Sequence, residues 1–294
     1  MKFYGTGVAL VTPFRKDFSI DFKSLTRITE HVINGSVNFL VVLGTTGESV
    51  TLSKDERLAV VNHVIDITEK RIPIVIGIGG NNTQEVVNII KTTDFTGIDA
   101  ILSVAPYYNK PGQRGLYGHY KTIASVSPIP IILYNVPGRT GVNISAETTL
   151  RLANDFENIQ AIKEASGNLE QITYILRDKP TDFTVLSGDD ALILPQIAIG
   201  VKGVISVVAN AFPKEFSEMV NNALNGNYEA ARMTHYQMIE IIDTLFIEGN
   251  PAGIKAGLRI LDLIRSHLRL PLARVGRSTY FKLQKLIEEF QGNN

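Results

Sequence analysis

Short apolar runs alternate with longer amphipathic segments over most of the chain. Eight of these runs are rich in Val, Ile and Leu on both faces, which is typical of strands buried in a parallel sheet. We predict strands within residues 7–14, 38–46, 72–80, 100–108, 128–135, 159–166, 184–190 and 203–210. A segment with helical periodicity follows each strand, in residues 22–34, 54–69, 83–96, 113–126, 145–154, 168–178, 191–199 and 212–223.

This alternation predicts an α/β fold. Eight strand–helix units are the number that closes a (β/α)8 TIM barrel. An open doubly wound sheet is the structural alternative, although such sheets more often stop near six strands. Ser53 stands directly before one predicted helix and Ser145 opens another, and a serine hydroxyl at such a position caps the first turn.

The last part of the chain breaks the alternation. Helical periodicity occupies residues 227–247, 251–268 and 277–292, and the only strand candidate is the short run RLPLARV at 269–275. We therefore predict two regions, a catalytic barrel in residues 1–224 and a C-terminal helical appendage in residues 225–294.

The composition excludes several classes of function. Of the 294 residues, 29 are Lys or Arg and 29 are Asp or Glu, so the basic excess of a nucleic-acid-binding protein is missing. The chain has no cysteine, which rules out disulfides and thiolate chemistry. The apolar runs are too short to span a membrane, and the N-terminal segment does not resemble a signal peptide. We expect a cytoplasmic protein without nucleic-acid or membrane partners.

Lys163 is the most informative residue, because it stands in the middle of the otherwise apolar run IQAIKEAS at 159–166. Burying an ammonium group without a partner is costly, so a lysine held inside a barrel favours the neutral amine. A neutral amine is a nucleophile that forms Schiff bases with carbonyl compounds. The alternative is a strand-end lysine that reaches solvent or pairs with a carboxylate such as that of Glu164.

Three further motifs stand where predicted strands end, which is where barrel enzymes place their active sites. GTTGES at 44–49 offers two threonine hydroxyls and backbone N–H groups that can hold a small carboxylate, although it can equally be a glycine turn. PYYNKP at 106–111 and YNVPGRTG at 134–141 bring tyrosines and Arg139 to the same mouth. Arg139 suits bidentate recognition of a carboxylate but is also compatible with a plain surface position.

Metal chemistry is not favoured. The five histidines show no paired spacing typical of a zinc or iron site, so a zinc hydrolase or a metal-dependent aldolase is not expected. They are His31, His63, His119, His235 and His267. The acidic run SGDD at 187–190 is interpreted as a solvated loop in preference to a cation site.

Together, Lys163, GTTGES, PYYNKP and YNVPGRTG resemble the dihydrodipicolinate synthase family of pyruvate-dependent class I aldolases. The similarity extends from the TPF of the first predicted strand to at least the GVISVVAN of the eighth. The resemblance implies condensation of pyruvate with L-aspartate 4-semialdehyde to give 4-hydroxy-tetrahydrodipicolinate, in lysine and diaminopimelate biosynthesis. It also implies that no metal or organic cofactor takes part and that the protein is a homotetramer built as a dimer of dimers.

The resemblance also implies catalytic roles for four residues. Lys163 would form the Schiff base with pyruvate, and Tyr134 would act as the acid and base beside it. Thr45 would link Tyr134 to Tyr108 in a proton relay. Tyr108 would reach this relay from the neighbouring subunit of a tight dimer.

Four other residues are implied in substrate binding. Thr46 would bind the carboxylate of pyruvate, and Arg139 would bind that of the semialdehyde. Gly188 and Ile205 would line the pocket near Lys163.

Two alternatives remain at this point. A lyase of the N-acetylneuraminate or keto-deoxy-sugar-acid type shares the fold and the lysine, but VPGRTG and GTTGES fit the synthases better. A non-catalytic barrel is disfavoured by the complete set of catalytic residues. The run GNPAGIKAGL at 249–258 departs from the family pattern, and we expect it to affect assembly more than chemistry.

The resemblance finally implies a possible allosteric site, because many members of the family are inhibited by lysine. The matching polar positions are Ser49, Asn81, Glu85 and Tyr107. Lys54 and Arg57 stand where lysine-sensitive relatives often carry two histidines. Additional positive charge disfavours a cationic effector, so we predict weak or absent inhibition by lysine.

Overall fold

The strands close into a barrel. The computed structural model describes residues 3–292, and within that range eight parallel strands pair in sequence order, with β1 hydrogen-bonded to β8. From β1 to β8 the strands are Gly5–Ala9, Phe39–Val42, Ile74–Gly77, Ala100–Val104, Ile131–Asn135, Ile159–Glu164, Thr184–Ser187 and Gly203–Ser206. The predicted TIM barrel is confirmed.

Helices surround the strands and continue beyond them. The first nine, α1 to α9, are Phe22–Asn34, Lys54–Thr68, Thr83–Thr92, Gln113–Ala124, Pro137–Thr140, Ala146–Asp155, Leu169–Asp178, Ile193–Ala198 and Pro213–Leu224. The last three, α10 to α12, are Tyr228–Phe246, Ala252–Ile260 and Arg277–Gly292. Short 3-10 turns form at Ser49–Thr51 and Val208–Asn210.

Strand alternation divides the apolar residues into two clusters. Outward side chains of the strands pack against the helices in one large cluster, which also includes Met238 and Leu283 of the C-terminal helices. Inward side chains form a smaller cluster inside the barrel, with Phe39, Leu186 and Ile205 among its members. The C-terminal helices are therefore continuous with the outer core of the barrel.

Several boundaries differ from the sequence predictions. The strands are shorter than the apolar runs. In seven of them the last residues of the run begin the loop that follows, whereas the run at 128–135 begins three residues before β5 and ends with it. The segment predicted as a helix over 251–268 is helical only from Ala252 to Ile260, and RLPLARV forms no strand in the described structure. The serines before α2 and α6 cap those helices as predicted, since Ser53 accepts from the backbone N–H of Glu56 and Ser145 from that of Thr148.

No helix within residues 3–292 combines the length and the apolar character that crossing a membrane requires.

Candidate active site

Lys163 lies inside the barrel near the C-terminal end of β6. Its side chain is 5% exposed, and its Nζ is 4.4 Å from the centre of the Tyr134 ring. The two residues are partners in the register between β5 and β6, which places both side chains on the inner face. Within residues 3–292, Lys163 Nζ forms no ion pair. The predicted buried lysine is confirmed.

Glu164 does not neutralise Lys163, because adjacent residues of a strand point to opposite faces. Its carboxylate is fully buried on the outer face of the barrel. It accepts hydrogen bonds from Asn135 Nδ2 at 3.1 Å, from Gln171 Nε2 at 2.9 Å and from the backbone N–H of Ser166 at 2.8 Å. The alternative in which Lys163 pairs with Glu164 is therefore excluded.

Gly188 lies beside Lys163, and Ile205 belongs to the apolar cluster inside the barrel. A Cβ atom at Gly188 would stand 2.9 Å from Lys163 Cε and 2.6 Å from Ala165 Cβ, so a side chain there would displace the lysine. Ile205 is 1% exposed and belongs to the same inner cluster as Tyr134 and Leu186. The absence of a side chain at Gly188 therefore leaves room for the Lys163 side chain.

The three hydroxyls of the implied proton relay are not in contact within one chain. Tyr134 is buried, whereas Thr45 is exposed and Tyr108 is 88% exposed at the tip of its loop. Among residues 3–292, these hydroxyls form no hydrogen bonds with one another. A single chain thus supplies Tyr134 and Thr45 at the mouth and projects Tyr108 away from it.

The loop after β2 presents polar groups towards the mouth. The backbone N–H groups of Gly47 and Glu48 close a turn onto the carbonyls of Gly44 and Thr45, at 3.1 Å each. Within the described part of the chain, the N–H groups of Thr45 and Thr46 donate to no protein acceptor. These two N–H groups and the neighbouring hydroxyls can hold a small carboxylate, as the motif predicts.

Two residues of GNPAGIKAGL, the run that departs from the family pattern, contact the loop after β2. The sequence did not indicate these contacts. Asn250 Nδ2 donates to the buried Thr46 Oγ1 at 2.9 Å, and Arg139 Nη2 donates to the main-chain oxygen of Asn250 at 3.4 Å. Asn250 therefore touches Thr46 and Arg139, the two residues that the resemblance assigns to carboxylate binding. The expectation that this run concerns assembly more than chemistry stays a prediction.

Lys255, from the same run, forms a fully buried ion pair with Glu48. Burial lowers the pKa of Lys255 to about 8, although the Glu48 carboxylate opposes this shift. The other Glu48 oxygen accepts from the backbone N–H of Arg269 at 3.2 Å. This pair joins the loop after β2 to the C-terminal helices, and Lys255 lies on the outer side of the loop instead of inside the barrel with Lys163.

The interpretation of SGDD as a solvated loop is wrong for Asp190. Its side chain is buried and accepts hydrogen bonds from the backbone N–H groups of Val207 and Val208, at 2.9 Å each. Burial raises the pKa of Asp190 to about 6. Asp189 accepts from the backbone N–H of Ala191 at 3.0 Å and so begins the segment that leads into α8.

The four possible allosteric residues lie on the segments after β2, β3 and β4, which are neighbours in the barrel. Asn109 Nδ2 donates to the main-chain oxygen of Asn81 at 2.9 Å, which joins the second and third of these segments. Tyr107 is 37% exposed, Glu85 is exposed on α3 and Ser49 begins a 3-10 turn. Arg57 Nε donates to the carbonyl of Ser49 at 3.0 Å, so its positive charge is held beside this region.

Among the described residues, no group of three or more His, Asp or Glu side chains is arranged to hold a metal ion.

Comparison with known proteins gives one consistent result. The model of the dihydrodipicolinate synthetase family matches residues 2–290. A 4-hydroxy-tetrahydrodipicolinate synthase of Azobacteroides pseudotrichonymphae genomovar. CFP2 is 54% identical over 287 residues, which cover 98% of this chain and 97% of that relative.

Solved structures show the same similarity. The dihydrodipicolinate synthase of Aquifex aeolicus superposes with a TM-score of 0.95 at 40% identity, over 98% of each chain. The chloride-inhibited dihydrodipicolinate synthase of Acinetobacter baumannii, crystallised in complex with pyruvate, superposes with a TM-score of 0.95 at 39% identity, over 98% of this chain and 99% of that chain.

Proposed function

The chain belongs to the dihydrodipicolinate synthetase family, and from this membership we infer that it condenses pyruvate with L-aspartate 4-semialdehyde in lysine biosynthesis. The observation that carries the assignment of the site is Lys163, a buried amine without an ion-pair partner at the C-terminal mouth of the barrel. We propose that this amine forms the Schiff base with pyruvate.

The environment of Lys163 suits imine chemistry. Its amine faces the apolar interior beside Tyr134 and attacks the ketone of pyruvate with loss of water. The resulting imine withdraws electrons, so a methyl proton of pyruvate is lost and an enamine forms. The enamine carbon then attacks the aldehyde of the semialdehyde. The amino group of the second substrate finally displaces Lys163 and closes the six-membered ring.

Tyr134 is the proposed acid and base for these proton transfers. Its ring lies against Lys163 Nζ, so the phenol is held near the carbon at which the imine forms. A positioned side chain that transfers a proton accelerates such steps by about 10²–10⁴-fold. Thr45, at the same mouth, is proposed to pass the proton between Tyr134 and Tyr108.

The two substrate carboxylates are proposed to bind at separate places. Thr46 and the free backbone N–H groups of the loop after β2 suit the carboxylate of pyruvate. Arg139 is exposed on the short helix α5 at the rim, where it suits the carboxylate of the incoming semialdehyde. Gly188 and Ile205 complete the pocket around the imine.

A direct assay tests this function. Purified protein supplied with pyruvate and L-aspartate 4-semialdehyde should form the cyclic product, and it should not release pyruvate from N-acetylneuraminate or a keto-deoxy-sugar acid. Pyruvate release from a sugar acid without condensation of the semialdehyde would instead assign the chain to the lyases of the superfamily.

We further propose that the active unit is a tight dimer within a cytoplasmic homotetramer. Tyr108 is 88% exposed at the tip of its loop, so its ring is available for insertion into a neighbouring subunit. Each site would then combine Lys163 and Tyr134 of one subunit with Tyr108 of the other.

Subunit complementation tests this arrangement. Lys163→Ala and Tyr108→Phe should each be nearly inactive alone. When the two variants are co-expressed, mixed dimers contain one site with both Lys163 and the partner's Tyr108 intact, so activity should return. If Tyr108 served its own chain, every site of the mixture would carry one defect and activity would stay low.

A further inference from the structure

We propose that Asn250 is a positioning residue for pyruvate, because it fixes the Thr46 hydroxyl so that its proton points to the substrate carboxylate. The inference rests on the function proposed above. It concerns a residue from the run after α10, far along the chain from every motif at the barrel mouth.

The contact between the two side chains has a defined direction. Asn250 Nδ2 donates to Thr46 Oγ1 at 2.9 Å, and the residues are 7% and 2% exposed. A threonine hydroxyl has one proton and can accept at its lone pairs. Since Asn250 occupies an acceptor position and no other group within residues 3–292 takes the proton, Thr46 remains free to donate to an anion.

Stability alone does not account for this arrangement. The Oδ1 atom of Asn250 is buried and has no hydrogen-bond partner. A buried, unpaired amide oxygen is unfavourable for folding. An apolar side chain of similar size would avoid that cost, and within residues 3–292 the contact with Thr46 is the one hydrogen bond that the Asn250 side chain forms.

Asn250 also contacts the second carboxylate-binding residue, but through its main chain. Arg139 Nη2 donates to the main-chain oxygen of Asn250 at 3.4 Å. A substitution of the side chain therefore removes the contact with Thr46 and retains the one with Arg139. This difference predicts an effect on pyruvate without an equal effect on the semialdehyde.

The test compares Asn250→Leu, Thr46→Val and the double variant. Asn250→Leu should raise KM for pyruvate about tenfold, as expected when a hydrogen bond to a charged group is weakened. Both kcat and the KM for the semialdehyde should stay within about twofold of wild type. An interaction made equally in the ground state and the transition state changes only the KM of the substrate concerned, here pyruvate. Asn154→Leu, at an exposed asparagine on α6, is the matched control and should leave both KM values as in wild type.

The double variant separates positioning from general disruption. If Asn250 acts through Thr46, the double variant should have the same KM for pyruvate as Thr46→Val. Multiplied effects, or equal increases in KM for both substrates, would overturn the inference. If Asn250→Leu does not fold, Asn250→Ala replaces it and is judged by the same criteria.

Borohydride trapping distinguishes this inference from the proposed function. Wild-type protein treated with pyruvate and borohydride should carry a reduced adduct, and Asn250→Leu should need about tenfold more pyruvate for half-maximal trapping. An unchanged pyruvate dependence in the variant would overturn only the role of Asn250. Absence of any adduct in the wild type would overturn the proposed function itself.

Discussion

At the scale of single residues, the strand that carries Lys163 decides which groups surround its amine. Residues 163 and 164 are both ionisable and both buried, yet strand alternation separates them. Glu164 is held by three hydrogen-bond donors on the outer face, and Lys163 faces the apolar interior. Within residues 3–292, the Lys163 amine therefore has no carboxylate as an ion-pair partner.

Arg139 and Tyr134 should differ in the step that they serve. Arg139→Ala should raise KM for the semialdehyde and leave formation of the pyruvate adduct nearly unchanged, because the two carboxylates bind at different places. Tyr134→Phe should slow both steps, by about 10²–10⁴-fold. Rapid-quench trapping with pyruvate alone, followed by steady-state assays with both substrates, measures the two effects. Equal slowing of adduct formation by both substitutions would show that this division of roles is wrong.

The sequence allowed us to predict the site residues at the ends of strands, but not the residues that reach the site from distant parts of the chain. Lys163 and Tyr134 were predictable because strand periodicity fixes the face on which each lies. Asn250 reaches Thr46 across 204 positions of the chain, and no local pattern encodes such a contact. Asp190 illustrates the same limit. The sequence suggested a solvated carboxylate, but two backbone N–H groups of the segment after β8 donate to it and so stabilise it in the interior.

At the scale of elements, two ion pairs tie the loop after β2 and the helix α2 that follows it to residues beyond α10. Glu48 pairs with Lys255 in the interior, and Glu56 pairs with Arg269 nearer the surface. Arg269 Nη1 also donates to the carbonyl of Thr51 at 2.8 Å. The helical appendage thus fixes the loop that presents Thr45 and Thr46.

Removal of the buried cation should be strongly destabilising. Lys255→Met leaves the Glu48 carboxylate buried without its partner and should lower the free energy of unfolding by about 3–5 kcal/mol. The double variant Glu48→Gln/Lys255→Met should be more stable than Lys255→Met alone, because no uncompensated charge remains. Urea denaturation measures both, with Lys285→Met in the exposed pair Lys285–Glu289 as the control. A single variant as stable as the double would contradict this account.

The Glu56–Arg269 pair should make stability depend on acid pH. The hydrogen bonds that Arg269 donates to the Glu56 carboxylate lower the pKa of Glu56 from 4.5 to about 2. The folded state therefore holds this proton less readily than the unfolded state. The contribution is complete above pH 4.5 and is lost as the pH falls towards 2. Urea midpoints measured over this range should fall more steeply in wild type than in Glu56→Gln, and identical slopes would contradict the prediction.

At the scale of the whole molecule, the fold was predictable because each strand–helix unit carries its own periodicity. The eight runs and the count of helices were sufficient to predict closure of the barrel. The end of α11 at Ile260 was not predictable, because the apolar residues that follow it, such as Ile264 and Leu268, are buried without forming a helix. The division between residues 224 and 225 stays a prediction, since both sides share one outer core.

Inhibition by lysine is also a property of the whole molecule, because the possible allosteric residues lie on three separate segments. Arg57 is held against Ser49, so a fixed cation stands near the proposed effector position. We predict weak or absent inhibition, and we expect Lys54→His/Arg57→His to increase sensitivity because it removes fixed positive charge. An activity titration with L-lysine measures both proteins. Clear inhibition of wild type at submillimolar lysine would show that the charge argument is wrong.

The central claim is that Lys163 forms the imine with pyruvate, and reductive trapping with peptide mapping tests it most directly. After incubation with pyruvate and borohydride, the wild type should carry one reduced pyruvate adduct on the peptide that contains Lys163. Lys163→Ala should fold yet lose the adduct and most condensation activity. Lys163→Arg should also lose the adduct and most activity, because a guanidinium group stays protonated and cannot attack the ketone. An adduct on the other buried lysine, Lys255, or condensation within a few-fold of wild type in Lys163→Ala, would contradict the account.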